Sequence, residues 1–426
     1  MSRINNHAGL NVCVAAAVGL LFWLAAINPA WAAENLVGKR VTVIHWGAEF
    51  HDQKDVVIGS SEIGKTYEVY AVKGKKLFVK ENEGYLLRTD VVPYETAENH
   101  FTLRVKRKPS AEVYYDRGCF LQNEEQFDAA LKDFDETLRR DRKHVDAYNA
   151  RAGVWWSKEE LDKAIDDYTQ AIKLDPNHCW AHSNRGQVWL VKGDDERAMQ
   201  DFTDAIRIDR AFASAYKGRA EVRVRRGELD KAIEDYDQAV LLEPTEVDTL
   251  LERGRVWYRK GNSKNAVDDF NEVIRRDPKN EGAFFSRGGV WANEGLYISA
   301  AADYERLMEI NPQSVTAYVS MALLRAACPD ANVRDGQRAM KVVQKLKELV
   351  DWENSPEYHE TLAATYAELG DFDQAVEWQS KIVPRLKGEA QTAATTRLKL
   401  YEEKKPYRLV PIKPGKPAAE KDPDAQ

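Results

Sequence analysis

The stretch ELDKAIDDYTQAIKLDP (Glu160–Pro176) returns 68 residues later as ELDKAIEDYDQAVLLEP (Glu228–Pro244), and a weaker copy, DDERAMQDFTDAIRIDR, ends midway at Arg210. The true period is therefore 34 residues. A short unit repeated at a fixed period cannot bury its apolar face alone, so neighbouring units must stack to build one continuous core. With residue 111 as position 1, six units run without insertion to Ser314.

Position 8 is small in every unit: Gly118, Ala152, Gly186, Ala220, Gly254 and Gly288. Position 20 is always alanine and position 24 always aromatic, from Ala130 and Phe134 to Ala300 and Tyr304. Apolar or small residues recur at 4, 8 and 11 and again at 20, 24 and 27, the spacing of one helical face in each half of the unit. Breaks near position 15, with Gly193, Gly227, Gly261 and Gly295, separate the two helices. Proline at position 32 (Pro176, Pro244, Pro278, Pro312) stops the second helix. Small residues at 8 and 20 let the two backbones approach closely.

This pattern resembles the tetratricopeptide repeat (TPR), and the resemblance is strong over 111–314. Units seven and eight, within 315–387, are degenerate, the seventh carrying the insertion CPDANVRD. Residues 94–110 read as a half-repeat cap helix, and 388–408 as a C-terminal cap helix, which a solenoid needs to cover its end faces. The resemblance implies a mainly α protein, a right-handed superhelical α-solenoid. It also implies protein or peptide binding on a concave groove lined by positions 2, 5, 9, 12 and 13 of each first helix.

Two ladders are additional to the family pattern. Position 7 is Arg in all six units (Arg117, Arg151, Arg185, Arg219, Arg253, Arg287), and position 23 is Asp in all six (Asp133, Asp167, Asp201, Asp235, Asp269, Asp303). Antiparallel helices bring these two positions level. A half-buried Arg needs a carboxylate, so an ion pair within each unit is expected. The alternative is an arginine stripe for an anionic ligand. Trp155, Trp189, Trp257 and Trp291 share position 11, a spacing expected of core.

The N-terminal region reads differently. Val12–Ile27 is apolar, Pro29 follows, and Ala30-Trp31-Ala32 has the small-x-small form of a cleavage site. Residues 1–32 are expected to be a secretory signal peptide; the alternative is a retained membrane anchor. Residues 34–93 contain short Val-, Tyr- and Phe-rich runs divided by charged or Gly turns, the mark of a small all-β domain. GYLLRTDVVP (Gly84–Pro93) resembles the end of bacterial SH3-like barrels, a likeness that implies a cell-wall ligand or a rigid adaptor. Trp46, Phe50, Tyr67 and Tyr70 are expected in that barrel's core, or else along a peptide groove. The Pro-, Lys- and acid-rich tail, 409–426, has the composition of a disordered segment.

The net charge of −7 offers nucleic acid no basic field. Cys119, Cys179 and Cys328, the cysteines beyond the apolar leader, are odd in number and widely spaced, so they form no disulfide framework. No metal-ligand, phosphate-loop or nucleophile motif is present; the nearest approach, HCWAH (His178–His182), falls at packing positions. No cofactor, metal or catalytic residue is expected. The fourth and fifth units gather Lys217, Arg225, Arg255, Tyr258 and Arg259 at groove positions, beside Glu221 and Asp248. This is either a solvated charged face or a seat for an acidic peptide or C-terminal carboxylate. The carboxylate-clamp constellation of some TPR proteins is not reproduced, because Tyr115 and Cys119 hold positions 5 and 9 of the first unit. The expected function is an exported, non-catalytic scaffold in the periplasm or envelope, or secreted. The alternative is a cell-wall binding protein that works through the SH3-like domain, with the repeats as spacer.

Overall fold

The computed structural model describes residues 40–43, 48–51, 57–61, 65–73, 76–79, 85–87, 91–350 and 358–410. The expected leader (1–32) and residues 411–426 of the expected tail lie outside them. The chain divides into two compact units, 1–222 and 223–426.

Among its described residues the first unit opens with seven strands: β1 (Arg40–Val43), β2 (Ala48–His51), β3 (Val57–Ser61), β4 (Thr66–Lys73), β5 (Lys76–Val79), β6 (Tyr85–Leu87) and β7 (Val91–Pro93). They pair antiparallel in the order β3-β2-β6-β5-β4-β1-β7. Val41 sits opposite both Tyr67 and Pro93, and Val41, Thr42 and Val43 are fully buried. Trp46 and the side chains of Phe50, Tyr67 and Tyr70 fall outside what is described, so the four aromatics expected in a barrel core are not placed.

Helices follow: α1 (Tyr94–Arg107), then the pairs α2 (Ala111–Asn123) with α3 (Phe127–Arg140), α4 (Val145–Ser157) with α5 (Leu161–Leu174), and α6 (Cys179–Val191) with α7 (Asp195–Ile208). Next comes α8 (Ala213–Arg225), inside which the division of the chain falls. Local chemistry sets the ends. Ser110, His144, His178 and Asp194 each accept a backbone N–H at an N-terminus. The turn between paired helices needs a left-handed residue. Gly193 supplies it at φ 76°, but Glu125 and Glu159 are forced there at 56° and 62°. The aromatics of position 24 form the seam. Phe202 is fully buried, and a Cβ on Gly186 of its own repeat would lie 3.1 Å from its ring, while one on Gly218 of the next would collide with it outright.

The second unit holds α9 (Leu229–Leu242), α10 (Val247–Arg259) with α11 (Ser263–Arg276), α12 (Glu281–Asn293) with α13 (Tyr297–Ile310), α14 (Val315–Ala327) with α15 (Gly336–Leu349), and α16 (His359–Glu368) with α17 (Phe372–Ile382). A 3-10 turn (Val383–Arg385) and α18 (Gly388–Glu402) close it. The insertion before α15 is tied down by Arg334, which donates Nη1 to the Cys328 carbonyl at 2.7 Å and Nε to Glu368 at 2.9 Å. Beyond α18 the chain remains anchored where the tail was expected to begin. The Leu409 N–H donates to the Ala327 carbonyl at 2.8 Å, and its side chain joins the cluster around Tyr297 and Leu324. That bond satisfies a carbonyl left open at the end of α14. No helix among the described residues is long and apolar enough to cross a membrane. The described chain is mainly α, with eighteen α-helices, most of them stacked as pairs.

Candidate functional site

The arginine ladder forms bidentate ion pairs. Nε and Nη2 of Arg117 each lie 2.6 Å from Asp133, and those of Arg151 each lie 2.7 Å from Asp167. The pairs Arg185–Asp201, Arg253–Asp269 and Arg287–Asp303 have the same geometry, each within 2.9 Å. In the fourth repeat Asp235 is met by Arg223 at 2.7 Å, from the position that carries Trp in four other repeats. Asp133, Asp201, Asp235 and Asp303 are at most 5% exposed, so these arginines serve the fold. Burial pushes the Asp269 carboxyl above its ordinary range, against the opposing pull of Arg253.

The third nitrogen was not read from the sequence. Nη1 of Arg151 reaches back to Asp135 at 2.6 Å, Nη1 of Arg185 to the Thr169 hydroxyl at 2.9 Å, and Nη1 of Arg253 to Asp237 at 2.7 Å. Each acceptor occupies position 25 of the preceding repeat. One guanidinium thus joins two repeats, a use that only its rigid fork allows. The signal was present as a polar residue at position 25 in every unit.

The tryptophans at position 11 are only partly buried, and cations cover three of them. Lys163 lies 4.5 Å over Trp155, Arg197 3.9 Å over Trp189 and Lys260 5.4 Å over Trp257. The HCWAH histidines are likewise committed. His178 caps α6 through Nδ1, which leaves the proton on Nε2 to point at Asp146, 3.2 Å away. His182 faces Asp201 and the Pro176 carbonyl. Among the described residues no three potential metal ligands cluster.

The five expected groove residues divide. Lys217 is half-buried on the first-unit part of α8; Arg225 is exposed at its end, in the second unit, and both take part in interactions of their own. The other three lie on α10. Arg255 is exposed and donates Nη1 to Glu252 at 2.6 Å within the same helix, a pair open to solvent on both sides. Tyr258 is half-buried and its hydroxyl accepts from Nδ2 of Asn293 on α12; burial raises its pKa. Arg259 is exposed and has no ion-pair or hydrogen-bond partner among the described residues. Further along the seam, Nε of Arg255 lies 3.4 Å from the Ser286 hydroxyl. Phe285, on the same helix as Ser286, is 40% exposed. Ser286 and Asn293 were not singled out in the sequence, where nothing pairs them with Arg255 and Tyr258.

A family model described as tetratricopeptide repeat matches residues 115–178, 217–281 and 251–315. No curated protein matches significantly. Among solved structures, a tetratricopeptide repeat protein from Parabacteroides merdae is 17% identical, covering 61% of this chain and 98% of its own, with a TM-score of 0.47. The pilF protein of Pseudomonas aeruginosa is 17% identical over 49% of this chain and 94% of its own, with a TM-score of 0.44. YrrB, described as a TPR protein with an unusual peptide-binding site, is 22% identical over 43% of this chain and 95% of its own, with a TM-score of 0.38. With the 34-residue helix pairs and the family match taken together, residues 115–178 and 217–315 of the chain are tetratricopeptide repeats.

Proposed function

We propose that this chain is a non-catalytic scaffold that binds a protein or peptide across its first-helix rows, with the acid-selective part of the surface on α10. One observation carries the reading. Of three arginines on α10, Arg253 is bound to two carboxylates, whereas Arg255 has only a solvent-exposed pair and Arg259 none among the described residues. Exposed pairs of that kind contribute about 0–1 kcal/mol, so a ligand carboxylate can displace Glu252 at little cost. Arg forks then provide paired hydrogen bonds to it. The test is titration of the full chain with an acidic peptide, repeated with Arg255→Ala and Arg259→Ala. Binding that weakens in both variants and with added salt supports the site. Indifference to both places the ligand elsewhere.

The same reading makes the protein an exported one, cut after Ala32 so that the mature chain begins at Ala33. Intact-mass measurement of the protein from its native envelope tests this. The SH3-like reading of the β segment is kept as an adaptor. Co-sedimentation with purified cell wall that survives Arg255→Ala and Arg259→Ala would instead make that segment the working part.

A further inference from the structure

Past α18 the chain turns back on itself. Residues 405–410 form a short arm that lies in a seat built by other elements of the second unit. The Tyr407 ring packs on the cluster that holds Ala363 and Tyr401, with the Arg397 guanidinium 5.4 Å from its centre. Nη1 of Arg408 lies 2.8 Å from Glu368. The Leu409 side chain packs with Tyr297, Leu324, Cys328 and Val333, and its N–H donates to the Ala327 carbonyl at 2.8 Å. A cation, a carboxylate, a free carbonyl and an apolar hollow therefore stand in register to receive one extended Tyr-Arg-Leu segment.

The arm hangs on a strained hinge. Just past the C-cap of α18, Lys404 takes φ 56°. The corresponding place after α10 and α16 is held by Gly261 and Gly370, at φ 88° and 82°. Glycine enters that left-handed region without a clash, whereas Lys404 brings a side chain into it. Two bonds close the turn: the Lys404 N–H donates to the Tyr401 carbonyl at 2.9 Å, and the Lys405 N–H to the Leu400 carbonyl at 2.8 Å. Both lysines are exposed, so opening the hinge passes their N–H groups to water and releases Lys404 from the left-handed region. Pro406 favours an extended Lys405, so the opened arm stays straight, and from Lys404 to Leu409 it reaches roughly 17 Å.

A short arm, a strained hinge and a seat matched to the arm are the conditions under which identical chains exchange elements. We infer that the Tyr407–Leu409 arm docks in the seat of a second copy, so that two chains trade C-terminal arms and associate as a symmetric dimer. The seat of the second chain offers the arm every contact it leaves in its own. The gain from exchange is the relief at the two Lys404 hinges, and the balance between closed monomer and exchanged dimer depends on concentration. The peptide-binding reading of α10 is not needed for this.

The experiment measures the molar mass of the full chain by size-exclusion chromatography with light scattering, across a range of concentrations. Wild type, Lys404→Gly, Lys404→Val and Leu409→Asp are compared, with melting temperatures for each. The expected result is a monomer–dimer equilibrium in wild type. Lys404→Gly removes the strain from both closed hinges and weakens association at least tenfold. Lys404→Val puts a β-branched residue where the left-handed region excludes it, holds the hinge open and strengthens association by a similar factor. Leu409→Asp, which cannot fill the apolar hollow, leaves a monomer. Lys404 is exposed and lies beyond α18, so the hinge variants should melt like wild type at low concentration, and the order of their association constants reports the hinge alone. Wild type and Lys404→Val that stay monomeric at every concentration, a dimer that forms equally well in Leu409→Asp, or association that does not rise in the order Gly, Lys, Val at position 404 overturns the exchange and makes the arm a fixed cap of its own chain.

Discussion

Arg253 donates Nε and Nη2 to Asp269 at 2.9 and 2.6 Å, sixteen residues ahead, and turns Nη1 to Asp237 at 2.7 Å, sixteen residues behind. The forward bonds close one helix pair; the backward bond ties it to the repeat before. Both partners are fixed by the same spacing because each lies on the second helix of a unit, once in its own repeat and once in the preceding one.

Arg253→Leu with Asp269 kept should cost roughly 3–5 kcal/mol, because it strands a carboxylate in a low-dielectric seam. Replacing both Arg253 and Asp269 by leucine should cost much less. Urea melts of the two single variants and the double variant, read as a cycle, check this. A double variant as unstable as Arg253→Leu would show that the damage is steric rather than electrostatic.

Consecutive glycines should respond with opposite sign. Gly288→Ala drives a methyl to 2.7 Å from the Tyr304 ring and should destabilise by about 1–3 kcal/mol. Gly289→Ala enters open space and should stabilise by roughly 0.5–1 kcal/mol through helix propensity. Thermal melts of the pair distinguish a packing glycine from one the fold does not need.

Glu159 sits at the interhelix turn with φ 62°, where four of the regular repeats carry glycine at φ 73–88°. Left-handed backbone costs a side-chain-bearing residue about 1–2 kcal/mol, and glycine loses part of that gain to its freer unfolded state. Glu159→Gly should therefore raise stability by up to about 1 kcal/mol. A lowered melting temperature would mean that the Glu159 side chain contributes to the turn.

Asp116 links the first repeat to α1. It is 3% exposed, with Arg104 at 2.7 Å, yet burial outweighs that partner and pushes its pKa up to about 7. The folded chain then holds a proton that the unfolded chain releases near 3.8. Stability from this group is full below that value and is lost as pH rises towards 7, a change of at most about 4 kcal/mol by proton linkage. Asp116→Asn should flatten the pH dependence of melting between pH 4 and 7. A profile identical to wild type would show that Asp116 remains charged throughout.

The period, the helix pairs and the Arg–Asp ladder were legible in the sequence because each follows from local spacing. Apolar positions at helical intervals, a small residue opposite an aromatic, and a cation level with a carboxylate need only the geometry of two antiparallel helices. The N-terminal strands could be recognised as short β runs, but their pairing order could not, since β2 bonds β6 across the intervening β3, β4 and β5. The tertiary structure decided what depends on the neighbouring repeat. Nη1 of Arg151, Arg185 and Arg253 had no assigned acceptor until stacking placed position 25 beside it. Arg253 and Arg255 look alike on one helix, two residues apart; only packing buries the first against a carboxylate and leaves the second in solvent. Gly288 and Gly289 are identical in the chain, and they differ because one faces Tyr304 and the other open space. A residue's own helix sets the direction in which it points, but what it meets there is set by the helix that packs alongside.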